Sequence, residues 1–292
     1  MATTKKRSKT ILVTGATGRQ GGASLGHLRK NGFAVRALTR NPEQPQARAI
    51  AGPGVEVMRG DMEDRNVLVR ALDGAYGVHS VQSSRQAGVA GEIRQGINVA
   101  DVAKTSGIAH FVYSSVASAD QHTGIPHFDS KFRIEEHIRA TGMHFTIVRP
   151  VFFMENWLGM RETIESGELK LPLDAGKRLQ MIAVDNIGGV VAEAFAHPGK
   201  WQNRIFELAG DELSMQELAQ VFTRTSGREV RYVQVPWDEF EKQAGPEITT
   251  MYRWFQDTGY HIDLDAVRQE YRVMSFEQWI NSYWHTSTRT AR

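Results

Sequence analysis

The chain has 292 residues, with 35 Lys and Arg against 33 Asp and Glu, and it contains no cysteine. The length allows two domains, or one domain with a sizeable appendage. The absence of cysteine excludes disulfide scaffolds, Cys-ligated zinc, iron–sulfur clusters and thiol nucleophiles.

The net charge of +2 comes from the ends of the chain. Six cations lie in terminal segments that contain no Asp or Glu: Lys5, Lys6, Arg7, Lys9, Arg289 and Arg292. Without them, 29 cations face 33 acids, so the body is mildly acidic. This balance, and the absence of any nucleic-acid-binding motif, argue against direct nucleic-acid binding.

The sequence contains no apolar run of the roughly 20 residues that a membrane span needs. Its basic start has an apolar run of only residues 11–13, which is too short for a signal peptide. We therefore expect a cytoplasmic protein with no membrane partner, and terminal tails at residues 1–8 and 285–292.

The first 150 residues alternate short apolar runs with helical patterns. The expected strands are residues 11–14, 34–40, 55–59, 76–81, 110–114 and 145–149. The expected helices between them are residues 22–30, 64–72, 93–105 and 128–141. Strands that alternate with helices in this way indicate βαβ units. The pattern therefore predicts an α/β protein with a Rossmann-type, doubly wound parallel sheet.

The pattern changes after Pro150. We expect helices at residues 184–196 and 213–225, with a Ser-x-x-Glu capping box formed by Ser214 and Glu217, and strands at 204–208 and 230–235. Aromatic residues are frequent between Trp237 and Trp284. These features predict a nucleotide-binding domain at residues 9–155, to which later segments return, and a smaller α/β lobe at residues 156–284.

A glycine-rich turn follows the first expected strand and opens a helix. It reads Thr14-Gly15-Ala16-Thr17-Gly18-Arg19-Gln20-Gly21-Gly22. Gly15 allows a tight turn, Gly18 leaves room for a pyrophosphate, and Gly21 or Gly22 allows close packing of the helix. The free N–H groups of the helix amino terminus suit phosphate oxygens. The turn therefore predicts a dinucleotide site whose candidate residues are Gly15, Thr17, Gly18, Arg19, Gln20 and Gly21.

The G-x-x-G-x-x-G spacing of this turn resembles that of atypical short-chain dehydrogenases/reductases. Together with ALTRNP, GDMED, RPVFFMENW, VDNIGGVVAEAF and FELAGDELSMQELAQVF, it is similar to the NmrA-like family of NAD(P)-binding proteins, over most of the chain. The resemblance implies that Asp61 and Met62 lie near the adenine. Val81, Gln82 and Ser83 complete the crevice by following the fourth strand. An alternative role for Asp61 is the N-cap of the following helix.

The second strand ends at Leu38-Thr39-Arg40, with no acid before Glu43. An acid at this position would accept hydrogen bonds from a ribose 2′-hydroxyl, whereas an arginine suits a 2′-phosphate. Arg40, with Arg19 as a second cation, therefore predicts NADP(H) rather than NAD(H) as cofactor. A solvated surface charge is the plain alternative for Arg40.

The resemblance also implies a Tyr-x-x-x-Lys pair on the helix after the fifth strand. The matching residues are His127 and Lys131, so the lysine is present and the usual tyrosine is not. Lys131 would hold the nicotinamide ribose, and His127 is a candidate proton donor because its reference pKa is near neutrality. His127 could equally be an ordinary residue at the start of a helix. The family also has a hydroxyl residue after the fifth strand that polarises the substrate carbonyl. Ser114 and Ser115 are the candidates for this hydroxyl, and the alternative is that Val116 occupies the matching position.

The segment after the sixth strand is implied to run near the nicotinamide. Its candidate cofactor contacts are Val151 and Phe153, and its candidate substrate contacts are Phe152, Phe153, Asn156 and Trp157. Aromatic residues suit an apolar pocket, although most aromatics of this half are expected in the core.

Two functions fit these residues. One is an NADPH-dependent oxidoreductase that passes hydride to a small apolar carbonyl, quinone or imine-like acceptor. The other is a non-catalytic NADP(H) sensor that regulates a protein partner. The histidines form no metal-binding pattern and Gly-x-Ser-x-Gly is absent, so we expect neither a metal site nor serine-hydrolase chemistry. A homodimer remains an open alternative.

Overall fold

A computed structural model of the protein describes residues 8–284. The expected tails, residues 1–8 and 285–292, lie outside the described residues except for Ser8. Two compact units make up the described chain. The first contains residues 8–119, His127–Arg149 and Ile187–Phe206, and the second contains Asp120–Pro126, Pro150–Asn186 and residues 207–284.

A seven-stranded sheet forms the centre of the first unit. Its strands are β1 (Thr10–Val13), β2 (Ala34–Thr39), β3 (Val55–Arg59), β4 (Gly77–Ser80), β5 (His110–Ser114), β6 (Phe145–Pro150) and β10 (Arg204–Leu208). The order is β10-β6-β5-β4-β1-β2-β3, and the first six strands along the chain pair in parallel. The order reverses between β1 and β4. In doubly wound sheets, ligands bind beyond the carboxyl ends of the strands at such a point.

Helices connect these strands. They are α1 (Arg19–Lys30), α2 (Pro45–Ile50), α3 (Arg65–Leu72), α4 (Ser84–Thr105), α5 (Pro126–Ala140), α7 (Val184–Ala196) and α8 (Pro198–Trp201). Helix α4 begins nine residues before its expected start, and it continues through a non-helical Gly88 (φ +69°). Asp64 caps α3 by accepting the N–H groups of Asn66 and Val67.

Apolar side chains fill both faces of the sheet. On one face, strand residues Leu12, Val78 and Phe111 belong to a buried cluster that includes helix residues Leu68, Val99 and Ile134. On the other face, α7 lies close to α1. A Cβ on Gly188 would come within 2.6 Å of the Ala23 carbonyl carbon, so the glycine allows this close approach. The expected doubly wound α/β fold is confirmed.

The second unit contains two small sheets and several short helices. Its strands are β7 (Phe152–Phe153), β8 (Glu168–Leu171), β9 (Arg178–Ile182), β11 (Asp211–Ser214) and β12 (Arg231–Gln234). Its helices are α6 (Arg161–Glu165), α9 (Met215–Ser226), α10 (Trp237–Ala244), α11 (Pro246–Asp257), α12 (Leu264–Glu270) and α13 (Phe276–Trp279). Beyond these, Met154–Met160 is a 3-10 helix, Ala119–Gln121 is a short 3-10 turn, and Ile280–Trp284 forms a π-helical turn.

The two small sheets have the orders β11-β9-β7 and β12-β8. The capping box of Ser214 and Glu217 is present at the start of α9, as the sequence predicts. Within residues 8–284, no helix is both long and apolar enough to cross a membrane.

Candidate functional site

The glycine turn after β1 is built from backbone atoms in close contact. Gly15 has φ +61°, a conformation that L side chains rarely adopt. A Cβ on Gly18 would lie 3.2 Å from the Gly15 carbonyl oxygen, and one on Gly21 would lie only 2.2 Å from it. Gly21 therefore allows the helix to approach the turn itself, whereas the sequence suggested close packing on the sheet. A side chain would strain the backbone at Gly15, would be tight at Gly18 and would clash with the backbone at Gly21.

The amino terminus of α1 has no side-chain cap. Its N-cap is Gly18, which has no side chain to accept a backbone N–H, and the first turn contains no acidic residue. Gly18 and Arg19 are exposed, and Thr17 and Gln20 are half-buried. Exposed N–H groups at the positive end of a helix dipole form an anion-binding site. The turn and this helix end together fit the pyrophosphate of a dinucleotide.

Thr14 connects the ends of β1 and β4 beside the turn. Its Oγ1 accepts the Val81 N–H at 2.7 Å and donates to the Val81 carbonyl at 3.0 Å. A Cβ on Gly15 would lie 3.4 Å from Val81 Cβ. Val81 is thus part of the turn's immediate surroundings, and Ser83 follows as the N-cap of α4, without a side-chain hydrogen bond to the helix.

Asp61, Met62 and Gln82 lie beyond β3 and β4. Asp61 Oδ1 accepts the N–H of Glu63 at 3.0 Å, and the cap of α3 is Asp64, so the alternative role of Asp61 as that cap is wrong. Gln82 Nε2 donates to Ser80 Oγ at 2.9 Å and contacts Met62 Sδ at 3.5 Å. These contacts link the ends of β3 and β4 through residues that the sequence assigns to the adenine side.

Arg40 follows directly after β2 and is exposed. Its Nη2 donates to Gln86 Oε1 of α4 at 2.9 Å. A guanidinium has five N–H donors, so one bond to Gln86 leaves donors for a further acceptor.

His127 and Lys131 lie one turn apart near the start of α5, which places them on one helix face. Both are half-buried, and the His127 ring contacts the Phe128 ring at 5.0 Å between centroids. Lys131 Nζ lies 2.8 Å from Glu92 Oε1 of α4. The other Glu92 oxygen accepts a hydrogen bond from Ser130 Oγ. Glu92 is fully buried, and sequence reasoning missed it.

The hydroxyls of Ser114 and Ser115 both have internal partners. Ser114 Oγ lies 3.0 Å from His79 Nε2, and Ser115 Oγ donates to Glu135 Oε1. Glu135 also binds Arg149, through Nε at 2.9 Å and Nη2 at 2.7 Å. These serine hydroxyls are buried in the unit, so neither is presented as a carbonyl-polarising group.

Burial changes the acid–base properties of two groups on the central strands. It lowers the pKa of His79 to about 3, so this imidazole is neutral near pH 7. Burial raises the pKa of Tyr113 well above its usual range, and the nearby Glu92 and Glu135 carboxylates add to the rise. Neither group is ready to exchange a proton near neutral pH.

In the second unit, the segment after β6 is anchored by Glu155. Its two carboxylate oxygens accept the Val184 N–H at 3.1 and 3.0 Å, and Oε1 accepts Trp279 Nε1 at 2.8 Å. Phe152 and Trp157 are buried against each other, with ring centroids 5.4 Å apart.

The remaining predicted residues of this segment differ in exposure. Trp157 also donates to Met181 Sδ at 3.2 Å and packs near Phe222. Val151 is buried, Phe153 is half-buried and Asn156 is exposed. The roles of these residues at a cofactor or substrate stay predictions. Within residues 8–284, no cluster of three or more His, Asp or Glu could hold a metal ion.

Comparison with known proteins places this geometry in a family. A model of the NmrA-like family matches residues 7–280. The chain belongs to the NmrA-like family. It is 30% identical over 282 residues to the NmrA-like family domain-containing oxidoreductase hkm9 of Aspergillus hancockii, covering 86% of this chain and 84% of that protein. It is also 30% identical over 236 residues to an NAD(P)H azoreductase of Xenophilus azovorans, covering 80% and 79%.

The fold is shared with NmrA, a negative transcriptional regulator whose structure in complex with NADP has been solved. The two chains superpose with a TM-score of 0.81 at 24% identity, covering 97% of this chain and 98% of NmrA. The family resemblance read from the sequence motifs is therefore confirmed.

Proposed function

We propose that the protein is an NADPH-dependent oxidoreductase that passes hydride to a small apolar carbonyl, quinone or imine-like acceptor. The observation that carries the proposal is the amino terminus of α1, which has no side-chain cap and follows a glycine turn in which a Cβ on Gly21 would lie 2.2 Å from the Gly15 carbonyl oxygen. The proposal is supported by relatives named as an oxidoreductase and as an NAD(P)H azoreductase.

Arg40 would select the phosphorylated form of the cofactor. It lies at the end of β2, where an acid would bind a ribose 2′-hydroxyl, and its guanidinium is exposed. A guanidinium pairs two phosphate oxygens in one plane, whereas a 2′-hydroxyl offers no charge to it. The bond to Gln86 Oε1 holds one edge of Arg40, which favours this orientation before the cofactor binds.

The chemistry of the reaction belongs to the nicotinamide, which supplies the hydride when it is bound. Lys131 would hold the ribose hydroxyls through its ammonium, and His127, one helical turn earlier, would donate a proton to the reduced acceptor. A quinone or another activated acceptor could instead take its proton from water. Arg19, Gln20 and Thr17 would surround the pyrophosphate, with Gly15, Gly18 and Gly21 forming the turn beneath it.

The second candidate is an NADP(H) sensor that acts through a protein partner. It is favoured by His127 in place of the usual tyrosine and by the internal hydrogen bonds of Ser114 and Ser115. Without a positioned hydroxyl, carbonyl reduction would have no side chain to polarise the substrate oxygen. NmrA shows that the fold occurs in a regulator, but its 24% identity transfers only the fold.

The test is NADPH oxidation at 340 nm with quinones, azo compounds, aldehydes, ketones and imines. Turnover that is lost in His127→Phe, with NADPH affinity kept, supports catalysis through His127. Tight NADPH binding without turnover on any acceptor contradicts the oxidoreductase and supports the sensor.

Cofactor preference is tested by Arg40→Ala. Charge-assisted hydrogen bonds contribute about 1.5 to 3 kcal/mol, so NADPH affinity should fall about 10- to 150-fold. NADH affinity should change less than about twofold, because Arg40 has no phosphate to bind there. Arg70→Ala, which removes an exposed arginine from the last turn of α3, is the matched control. Equal losses for both nucleotides would reject the role of Arg40.

A further inference from the structure

The carboxylate of Glu92 is completely buried between α4 and α5. Its Oε1 lies 2.8 Å from Lys131 Nζ, and its other oxygen accepts the hydroxyl hydrogen of Ser130. A buried carboxylate is stable only when it is paired and hydrogen-bonded, and both oxygens of Glu92 meet this condition. The contact with Lys131 is therefore a strong, well-defined interaction rather than a surface ion pair.

The Lys131 side chain retains 14% exposure, so it lies at the edge of the buried region. A lysine has a flexible stem of four carbons, and fixing it costs side-chain entropy. Glu92 fixes the ammonium before any ligand binds. Because an ammonium has three N–H donors, the bond to Glu92 leaves two donors for other acceptors.

The buried ion pair of Arg149 and Glu135 has a different form. Arg149 and Glu135 bind through two contacts, and their side chains are 5% and 0% exposed. Both partners of that pair are buried. The Glu92–Lys131 pair joins a fully buried acid to a partly exposed cation through one contact. This arrangement is expected when the buried acid positions the cation and the cation binds a ligand.

We infer that Glu92 is a positioning residue that holds the Lys131 ammonium ready to bind the ribose hydroxyls of the nicotinamide nucleotide. The inference rests on the proposed function, because it requires Lys131 to contact the cofactor. Glu92 itself touches only protein. Its effect on cofactor binding must therefore pass through Lys131 and disappear when Lys131 is removed.

The first measurement uses the ligand-free protein. In ¹H–¹⁵N spectra of lysine ammonium groups, Lys131 should give a protected cross-peak, assigned by its loss in Lys131→Met. The cross-peak should vanish in Glu92→Gln. It should persist in Ser130→Ala, the matched control, which removes the hydroxyl that bonds to the other Glu92 oxygen and to the His127 carbonyl but leaves the contact between Glu92 and Lys131 in place. Absence of the cross-peak from the wild-type protein overturns the inference, even if Glu92→Gln fails to fold.

The second measurement is NADPH affinity, by fluorescence titration, for wild type, Glu92→Gln, Lys131→Met and the double variant. We expect each single variant to bind about tenfold more weakly, corresponding to about 1.4 kcal/mol. The double variant should bind no more weakly than Lys131→Met, because Glu92 then has nothing to position.

The outcomes separate the inference from the proposed function. If the wild-type protein binds NADPH and Glu92→Gln binds it with the same affinity, only the role of Glu92 is overturned. The same holds if the losses of NADPH affinity in the two single variants add in the double variant. Unchanged affinity in Lys131→Met overturns the ribose contact of Lys131 and the role of Glu92 together. A wild-type protein that binds neither NADPH nor NADH overturns the proposed function itself.

Discussion

Replacing Glu135 by glutamine tests how helix α5, which carries His127 and Lys131, is held to the sheet. Glu135 is fully buried and binds Arg149 through two nitrogens at 2.9 and 2.7 Å, while Ser115 donates to the same carboxylate. Glutamine keeps the size of the side chain and an oxygen acceptor for Ser115. It removes the negative charge that faces the Arg149 guanidinium, which is only 5% exposed.

Removing one partner of a buried ion pair costs about 3 to 5 kcal/mol, because the remaining charge stays desolvated. Both partners here are buried and the contact is bidentate, so we expect a loss near the middle of that range. We therefore expect the urea midpoint of Glu135→Gln to fall by an amount equivalent to about 4 kcal/mol, with an unchanged m-value.

The control removes the charges together. A triple variant with Glu135→Leu, Arg149→Met and Ser115→Ala removes both charges of the pair and the hydroxyl that donates to it. Apolar replacement of a whole buried pair is often neutral, so this variant should recover most of the lost stability. A Glu135→Gln protein that unfolds at the wild-type urea concentration would show that the pair contributes no stability and that the reasoning from burial is wrong.

Two further predictions follow from the glycine turn and from the buried histidines. Gly21→Ala should abolish NADPH binding, because its Cβ would lie 2.2 Å from the Gly15 carbonyl oxygen. The control Gly22→Ala, whose Cβ has its nearest contact at 3.5 Å, should bind NADPH normally. Equal NADPH affinity of the two variants in a titration would contradict the packing argument. Burial lowers the pKa of His79 to about 3 and that of His110 to about 4 from an ordinary 6.5. The unfolded chain therefore takes up more protons than the folded one below pH 6.5, and stability should fall as the pH drops from 6.5 towards 3. Urea unfolding at several pH values checks this, and His79→Gln should reduce the slope; an unchanged slope would assign the loss to other groups.

The alternation of strands and helices in the first half of the chain is largely readable from the sequence. Each expected strand of the central sheet is present within about two residues, because buried parallel strands are short apolar runs between turn residues. Helix α2 was not predicted, since its residues Pro45–Ile50 show no apolar stripe. The second half was predicted less completely, because β7, β8, β9 and β11 are strands of two to five residues whose pairing depends on partners distant in the chain.

The buried acids show where sequence reasoning stopped. Glu92 is four residues before Gly96 and seven before Val99, and all three are buried on α4. Glu135 is three residues before Ile138, on the buried face of α5. An acid at helical spacing with apolar or small residues could have signalled a buried charge. Its partner could not be inferred, because Lys131 and Arg149 reach these acids only through packing between elements.

The chain's lack of cysteine, its glycine turn and its family were determined by the sequence alone. These are local or compositional properties, and a turn of backbone atoms needs only glycines at fixed spacing after a strand. The tertiary structure decided which side chains meet across elements. It paired Lys131 with Glu92, engaged Ser114 and Ser115 internally, and joined Arg40 to Gln86. Such contacts connect residues 20 to 46 positions apart along the chain, so they depend on the packing of helices against the sheet and not on any local pattern.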